Sequence, residues 1–344
     1  MKNINFDVIT IGTATKDVFL FSPLFRVLKD EEHLKKIGFP EGRAECFAFG
    51  GKIDVEKAIF STGGGAGNAA TTFARQGYKT ATIISVGEDP QGEEIVGALE
   101  KEGVSVFASK HKKKTSAFST LLLTESGERT VLVARGAANA LDLGQVSLRD
   151  LNAKWVYVNP GAIDFTTIEK AVMTFKKKGA KLAINPSTNY LKMPKAKIVK
   201  LLKKFDVIIL NREEAVMLTK QPHDDERKIF RAFENISSGI IVMTDGPDGA
   251  LVSDHKFIYR AGIFKDSGVK DRTGAGDAFG SGFVASLARE ESVSEPIIKE
   301  AIRMASANST AVVEQVGARD GILSYSSYQR SKHFKRLPVR KIFL

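Results

Sequence analysis

Short apolar runs rich in β-branched residues recur along the chain, separated by segments with the periodicity of a helix. Runs of this length and composition, bounded by polar or glycine positions, are typical of buried β-strands. The pattern predicts six of them: Asp7–Ile11, Thr80–Val86, Trp155–Asn159, Lys181–Asn185, Asp206–Leu210 and Gly239–Thr244.

The segments between these runs place apolar or small residues at the spacing of one helix face. They predict helices at Asn68–Gln76, Gly92–Glu102, Thr166–Lys178, Lys195–Lys204 and Arg212–Leu218. Strand–helix alternation favours a mostly parallel sheet covered on both faces. With right-handed crossovers, the expected fold class is α/β, a doubly wound, mostly parallel sheet sandwiched by helices.

Two regions depart from this alternation. Residues 18–60 are long and mixed in character, and residues 115–135 contain two β-rich runs joined by a Ser-Gly turn at 126–127, which predicts a hairpin. We expect both to form a small β lid inserted into a single domain of residues 1–344, because no linker-like tract separates them. The basic segment 326–344 is expected to be a tail or an edge element.

The composition excludes several classes of protein. Of the 344 residues 43% are hydrophobic, but no apolar run approaches the roughly 18 residues of a membrane span, so no membrane association is expected. The single cysteine, Cys46, cannot form an intrachain disulfide, which favours a reducing, cytoplasmic location. The five histidines are scattered without the spacing of a zinc site.

The net charge of +11 comes from abundant lysine and arginine. A solvated lysine-rich surface accounts for such a charge, and so does attraction of an anionic ligand such as a nucleotide. The basic runs lack interleaved aromatic residues and match no nucleic-acid-binding module, so nucleic acid is not an expected partner.

The segment Thr273-Gly274-Ala275-Gly276-Asp277 combines a glycine turn with an acid. Glycines let backbone N–H groups point inward, and a helix starting at Asp277 would add its N-terminal amides to form an anion site. A carboxylate beside an anion site can take the proton of an alcohol during phosphoryl transfer. The alternative is that Asp277 only caps the helix.

Four segments resemble motifs of the ribokinase-like (PfkB) family of carbohydrate and nucleoside kinases. They are DRTGAGDAFGSGF, STGGGAGNAATTFARQG, LNREEA and MTDGPDGA, in the family's order and spacing, within a likeness over roughly residues 5–325. The resemblance implies the ribokinase-like fold, ATP and Mg²⁺ as requirements, K⁺ as a further candidate, and either a monomer or a homodimer.

By this resemblance Asp277 is the catalytic base and the amides of Gly274, Ala275 and Gly276 hold the transferred charge. Asp271 and Thr273 lie in the stretch that often helps to bind potassium, with carbonyls from a loop near residues 316–318. The alternative for Asp271 is an ordinary loop carboxylate.

Asn211 and Glu214 follow a predicted strand and share one side of a helix start. Glu214 is expected to hold Mg²⁺ through water, since Mg²⁺ keeps much of its hydration shell, and Asn211 to lie at the ATP site. The alternative is that the two residues cap the helix.

Three further residues, Thr244, Gly246 and Gly249, are expected to border the nucleotide phosphates or ribose. A tight turn is the alternative. Ser306, in the helix around Ala305–Val313, and the turn at Gly317 are expected to wall the adenine, although close helix packing explains small residues equally well.

The acceptor site is expected at Asp17, Gly63, Gly64 and Asn68, where the resemblance implies that the Asp and Asn bind hydroxyls and the glycines act as a hinge. Arg135 stands where a lid residue would meet an anionic acceptor; exposure to solvent is the alternative.

We therefore expect an ATP-dependent sugar kinase that acts on a hydroxymethyl group, with a small-molecule sugar as partner and a nucleoside kinase as the alternative. A dinucleotide-dependent oxidoreductase is a different class: residues 65–70 fit G-x-G-x-x-A, but about fifty residues and a strand precede them. A sugar-binding module without catalysis is disfavoured by the intact Asp277.

Overall fold

The computed structural model describes residues 4–39, 42–124, 129–265 and 268–344. Its helices are α1 (Glu31–Lys36), α2 (Gly65–Arg75), α3 (Pro90–Lys101), α4 (Phe165–Lys177), α5 (Thr188–Leu191), α6 (Lys195–Leu202), α7 (Arg212–Thr219), α8 (Glu226–Phe233), α9 (Ala275–Leu287), α10 (Glu295–Val313) and α11 (Tyr325–Arg330). Within this described part, no helix combines the length and apolar character needed to cross a bilayer.

The strands are β1 (Ile4–Gly12), β2 (Thr15–Phe21), β3 (Arg26–Lys29), β4 (Arg43–Cys46), β5 (Lys57–Gly63), β6 (Thr80–Gly87), β7 (Ser105–His111), β8 (Phe118–Leu123), β9 (Arg129–Ala134), β10 (Leu151–Asn159), β11 (Lys181–Ile184), β12 (Val207–Asn211), β13 (Ile240–Thr244), β14 (Ala250–Ser253), β15 (Phe257–Ala261) and β16 (Arg340–Phe343). All the predicted strands and helices are present, with ends displaced by four residues or fewer.

Ten strands form the main sheet, in the order β16-β15-β14-β13-β12-β11-β10-β1-β6-β7. In this spatial order, each neighbouring pair between β13 and β7 is parallel. Strands β14, β15 and β16 extend the sheet beyond β13 as antiparallel strands. The predicted α/β, mostly parallel sheet is confirmed.

Helices cover both faces of this sheet, because its central strands are apolar on both sides. On one face α4, α6, α7 and α8 contribute to a large core. On the other face α2, α9 and α10 pack against Tyr157, Ile209 and their neighbours. The small residues of α9 allow close packing: a Cβ at Gly280 would lie 2.6 Å from the Tyr157 hydroxyl, and one at Gly282 3.2 Å from Ala305 Cα.

A second sheet of four strands, ordered β5-β2-β8-β9, lies outside the main sheet, and β3 and β4 form a separate pair. Strands β8 and β9 are antiparallel, as the predicted hairpin requires, although its turn at 126–127 lies outside the described residues. Region 18–60 supplies part of β2, the β3–β4 pair, α1 and most of β5. That the second sheet acts as a lid stays a prediction.

The basic C-terminal segment is partly an edge element. Strand β16 pairs with β15 and ends the main sheet, and Leu337 before it is buried. Phe334 packs against Phe264, with ring centroids 5.3 Å apart, so the segment is joined to the body of the protein by apolar contacts.

Candidate active site

Polar residues lie at the carboxyl ends of four neighbouring strands. Asn159 ends β10, Asn185 follows β11, Asn211 ends β12 and Thr244 ends β13. Ligands of open α/β sheets bind at this edge, and the polar row therefore marks where a substrate would lie.

The glycine turn places helix α9 against this edge. Gly274 is the N-cap residue with φ of 80°, and a Cβ there would lie 2.7 Å from Ala318, so the position requires glycine. The expectation that the helix begins at Asp277 is wrong, because the left-handed Gly274 ends the loop earlier. Asp277 is the third helical residue and not the cap.

Backbone N–H groups of Gly274, Gly276 and Asp277 have no hydrogen-bond partner among the described residues. Ala275, which sequence reasoning placed in this set, donates its N–H to the Arg272 carbonyl at 3.3 Å. A Cβ at Gly276 would meet nothing within 4 Å, so the turn faces open space. The free amides next to a helix N-terminus can stabilise an anion there.

Two asparagines hold the carboxylate of Asp277. Asn68 Nδ2 donates to Oδ2 at 2.8 Å, and Asn159 Nδ2 donates to Oδ1 at 3.0 Å. Burial raises the pKa of Asp277, and these two hydrogen bonds oppose the rise. The carboxylate is fixed in place by side chains from α2 and β10, and its remaining lone pairs can accept a proton.

Asn159 was missed by the sequence analysis. Its side chain occupies the space that a side chain at position 65 would need, since a Cβ on Gly65 would lie 2.1 Å from Asn159 Cγ. Asn159 also donates to Asn185 Oδ1 at 3.4 Å. The available signal was that two successive predicted strands both end in asparagine.

Asn211 and Glu214 form a capping box at the start of α7. Glu214 N–H donates to Asn211 Oδ1 at 2.8 Å, and Asn211 N–H donates to Glu214 Oε2 at 3.0 Å. Burial raises the pKa of Glu214, while the hydrogen bond from the Asn211 backbone lowers it. The capping alternative is therefore present, and it leaves Glu214 Oε1 outside the box.

No cluster of three His, Cys, Asp or Glu side chains suited to a metal ion occurs in the described ranges. A single carboxylate such as Glu214 still fits Mg²⁺, because this ion keeps several waters and takes its other ligands from substrate phosphates. The metal role of Glu214 stays a prediction.

A cavity of about 350 Å³ lies beside the glycine turn. Its lining includes the predicted residues Thr244, Gly246, Gly249, Ser306, Ala275 and Gly276. It also includes apolar residues and an arginine that sequence reasoning missed, among them Ile263, Phe264, Val269, Arg272 and Phe279. The size and the apolar walls suit a flat base.

Two observations limit this assignment. Gly317 is not among the residues that line the cavity, contrary to expectation, and its N–H donates to Asp271 Oδ2 at 3.3 Å. A larger cavity of about 650 Å³ lies among α6, α7 and α8, and it contains none of the predicted site residues.

Asp17 lies on β2 in the second sheet and is buried. Burial raises the pKa of its carboxyl, opposed by hydrogen bonds from Thr15 and Ser119 and by the charge of Arg319. A Cβ on Gly63 would lie 2.1 Å from Asp17 Oδ2, so this glycine leaves room for the carboxylate. Gly64, with φ of 88°, then leads directly into the helix that carries Asn68.

Arg319 is a second residue that sequence reasoning missed. It is buried, and its Nε donates to the Thr62 carbonyl at 2.8 Å, just before Gly63. Arg135, by contrast, is exposed beyond the end of β9, and its side chain has no hydrogen bond or ion pair within the described part of the chain. The solvent-exposed alternative describes its position.

Asp271 is buried, and its carboxylate accepts hydrogen bonds from three residues. Its Oδ1 accepts from Thr273 N–H at 2.9 Å, from the Thr273 hydroxyl at 2.7 Å and from Arg129 Nη1 at 3.4 Å, and its Oδ2 accepts from Gly317 N–H. These contacts give no support to potassium at Asp271 and Thr273, which stays a prediction.

The dinucleotide-binding alternative fails on position. Residues 65–70 open α2, but the strand before them is β5 of the second sheet and not a strand of the parallel sheet. The fingerprint requires a strand of a βαβ unit at that place.

Comparisons with known proteins agree with this geometry. A model described as "pfkB family carbohydrate kinase" matches residues 38–324. Ribokinase of Haemophilus influenzae is 28% identical over 270 residues, which cover 76% of this chain and 83% of that protein. Probable fructokinase-6, chloroplastic, of Arabidopsis thaliana is 30% identical over 275 residues, with coverage of 74% and 70%.

Solved structures share the fold. Arabidopsis thaliana ribokinase, determined in complex with ribose and ATP, superposes with a TM-score of 0.74 at 20% identity, covering 96% of this chain and 99% of that one.

Proposed function

The chain belongs to the pfkB family of carbohydrate kinases, and from this premise we propose that it transfers the γ-phosphoryl group of MgATP to a hydroxymethyl group of a sugar. Membership makes the protein a phosphotransferase with an alcohol acceptor, of the sugar or nucleoside kinase type. The acceptor and the roles of individual residues are the content of the proposal.

One observation carries the proposal: the half-buried carboxylate of Asp277 is held by Asn68 and Asn159 next to three free amides. A kinase of this type needs a base for the alcohol proton and donors for the moving charge. Both parts meet at the start of α9, at the carboxyl edge of the sheet.

In the proposed step, Asp277 takes the proton of the acceptor hydroxyl while that oxygen forms a bond to the γ-phosphorus. The bond between the γ-phosphorus and the β–γ bridging oxygen breaks, and ADP leaves. Because burial raises the pKa of Asp277, this carboxylate is a stronger proton acceptor than one in water. The free amides of Gly274, Gly276 and Asp277 stabilise the transferred group.

The cavity lined by Thr244, Gly246, Gly249 and Ser306 would hold the nucleotide, with the base among its apolar residues. Mg²⁺, when bound, neutralises phosphate charge, and Glu214 is the residue that would hold it through water. We expect Glu214→Gln to raise the Mg²⁺ concentration needed for half-maximal activity. Glu213→Gln, which changes an exposed carboxylate in the same helical turn, is the control and should not.

A sugar is favoured over a nucleoside by the row of residues around Asp17. In register, Asp17 lies opposite Ser61 on β5 and Ser119 on β8, so three polar side chains share one row of the sheet face. Such a row matches several hydroxyl groups better than a flat base. A nucleoside remains the alternative, and an anionic acceptor at Arg135 remains a prediction without a supporting contact.

The test is ADP release from MgATP with pentoses, hexoses, sugar acids, sugar phosphates and nucleosides. We expect the highest kcat/KM with a neutral sugar and no acceptor-dependent turnover without Mg²⁺. A nucleoside as the best acceptor would refute the sugar assignment, and the absence of any acceptor-dependent release would refute the proposal. Potassium compared with choline chloride tests the cation prediction, and cell fractionation tests the cytoplasmic one.

A further inference from the structure

Asp271 is a buried anion that organises the catalytic turn. Its side chain is only 1% exposed. It binds the N–H and the hydroxyl of Thr273, directly before Gly274, and the N–H of Gly317. The position of the free amides therefore depends on this carboxylate staying in place.

The positive partner of Asp271 comes from the second sheet. Arg129 is the first residue of β9, and its Nη1 lies 3.4 Å from Asp271 Oδ1. Arg129 pairs with Leu123 on β8, and Leu123 pairs with Phe21 on β2. Phe21 is four residues after Asp17 on the same strand, so Arg129 and Asp17 lie on the same face of the sheet. The face that carries the acceptor residue thus also carries the charge that reaches the catalytic turn.

The Asp271 carboxylate is buried, whereas the Arg129 side chain is 32% exposed. Removing Arg129 would leave the buried carboxylate without a charged partner, which is costly. Among the described residues, the other donors to Asp271 are neutral groups. Without Arg129, the carboxylate would keep only neutral partners among the described residues, and its hold on Thr273 and Gly317 would be weaker.

We propose that Arg129 is a positioning residue, which fixes the Gly274–Asp277 turn from the second sheet through Asp271. The proposal rests on the proposed kinase function. A second contact supports it independently: Arg319, two residues after Gly317, donates to the Thr62 carbonyl at the end of β5. The loops around the turn are therefore linked to β5 and β9, the two outer strands of the second sheet.

The proposed role of Arg129 also bears on whether the enzyme depends on potassium. Because the guanidinium supplies a positive charge at Asp271, the assignment predicts that added potassium does not stimulate the wild-type enzyme. The potassium prediction and this assignment are alternatives, and stimulation of the wild type several-fold by potassium over choline would overturn the assignment.

The experiment compares Arg129→Met, Arg129→Lys and the control Lys57→Met. Lys57 lies in the same row at the opposite edge of the sheet and is exposed, so its substitution removes the same charge without touching Asp271. We expect Arg129→Met to lower kcat about tenfold or more, with a much smaller change in the KM for ATP. Arg129→Lys should keep most of the activity, and millimolar guanidinium should raise kcat of Arg129→Met alone.

Hydrogen exchange of the backbone amides in residues 268–277 provides a readout without turnover. We expect faster exchange in Arg129→Met than in the wild type and Lys57→Met. Unchanged kcat and exchange in Arg129→Met would overturn the proposal. A loss that Arg129→Lys shares fully, and that guanidinium does not relieve, would overturn it too. If the wild type itself releases no ADP, the kinase function fails, and the exchange measurement still decides the positioning role.

Discussion

The two ends of the site are held in different ways. At the catalytic end, Asp277 lies at the start of α9 between large apolar cores and receives hydrogen bonds from two buried or half-buried asparagines. At the acceptor end, the second sheet has a small core of Phe19, Leu121 and Leu123, and all six residues of β9 are exposed. Few polar contacts join this sheet to the catalytic turn.

This difference indicates a division of labour between the two regions. A catalytic base must be held within a fraction of an ångström of its position, which favours residues fixed by packing. An acceptor site has to admit and release substrate, and elements with few buried contacts open at low free-energy cost. The comparison predicts that substitutions at the catalytic end alter kcat, whereas substitutions at the second sheet, apart from Arg129 with its contact to Asp271, mainly alter acceptor binding.

The largest effect is expected from Asp277→Asn. The amide cannot take the alcohol proton, so kcat should fall on the order of a thousandfold, while ATP binding stays close to that of the wild type. ADP-release kinetics and calorimetric titration with ATP measure the two quantities. Turnover within about tenfold of the wild type would remove Asp277 as the base.

A smaller effect is expected from Asn159→Ala. A hydrogen bond to a charged group contributes about 1.5–3 kcal/mol, so kcat should fall roughly tenfold to a hundredfold. Since the bond from Asn159 lowers the pKa of Asp277, its removal should move the acid limb of the pH–rate profile to higher pH.

Asn185→Ala is the matched control for that prediction. Asn185 contacts Asn159 at 3.4 Å and has no hydrogen bond to Asp277 within the described part of the chain, so its substitution should leave the acid limb unmoved. A profile that shifts equally in both variants would argue against a specific role for the Asn159 bond.

The smallest change in kcat is expected from Asp17→Asn at the second sheet. The loss of a charged acceptor should raise the acceptor KM roughly tenfold, with the KM for ATP little changed. A variant that loses kcat as severely as Asp277→Asn would contradict the division between the two ends.

The same variant should be more stable than the wild type. Burial raises the pKa of Asp17 above 3.8, so the folded state binds this proton more tightly than the unfolded chain. The wild type therefore loses stability as the pH rises through the folded pKa, and Asp17→Asn does not. We expect its Tm to exceed that of the wild type by roughly 1–3 °C at neutral pH, and the difference to vanish below the unfolded pKa.

The sequence predicted the elements of the main sheet well, because their periodicity is local. It also predicted that Asn68 and Asp277 belong to the same active site, and the two side chains are directly hydrogen-bonded. It could not predict that Asn159 completes this site, because the bond joins residues that are 118 positions apart. The packing of Asn159 against Gly65 becomes visible only in three dimensions.

The choice between two arginines of the same hairpin was also beyond sequence reasoning. Arg135 was selected, but it lies past the end of β9, whereas Arg129 reaches Asp271. Both arginines lie an even number of residues from Val131 and Val133, so the alternation of side chains along a strand predicts the same sheet face for both. They differ because Arg135 lies past the end of the strand and because Asp271 is close to Arg129 alone.

The long sequence separations around Asp277 have a kinetic consequence. Its two partners lie 209 and 118 positions away, and contacts this distant are expected to form late, because the entropy of closing a long loop is lost before the contact is made. In a refolding experiment, the helical circular dichroism signal should therefore return before catalytic turnover does, and a proteolytic nick between Asn68 and Asn159 should abolish turnover once the fragments separate.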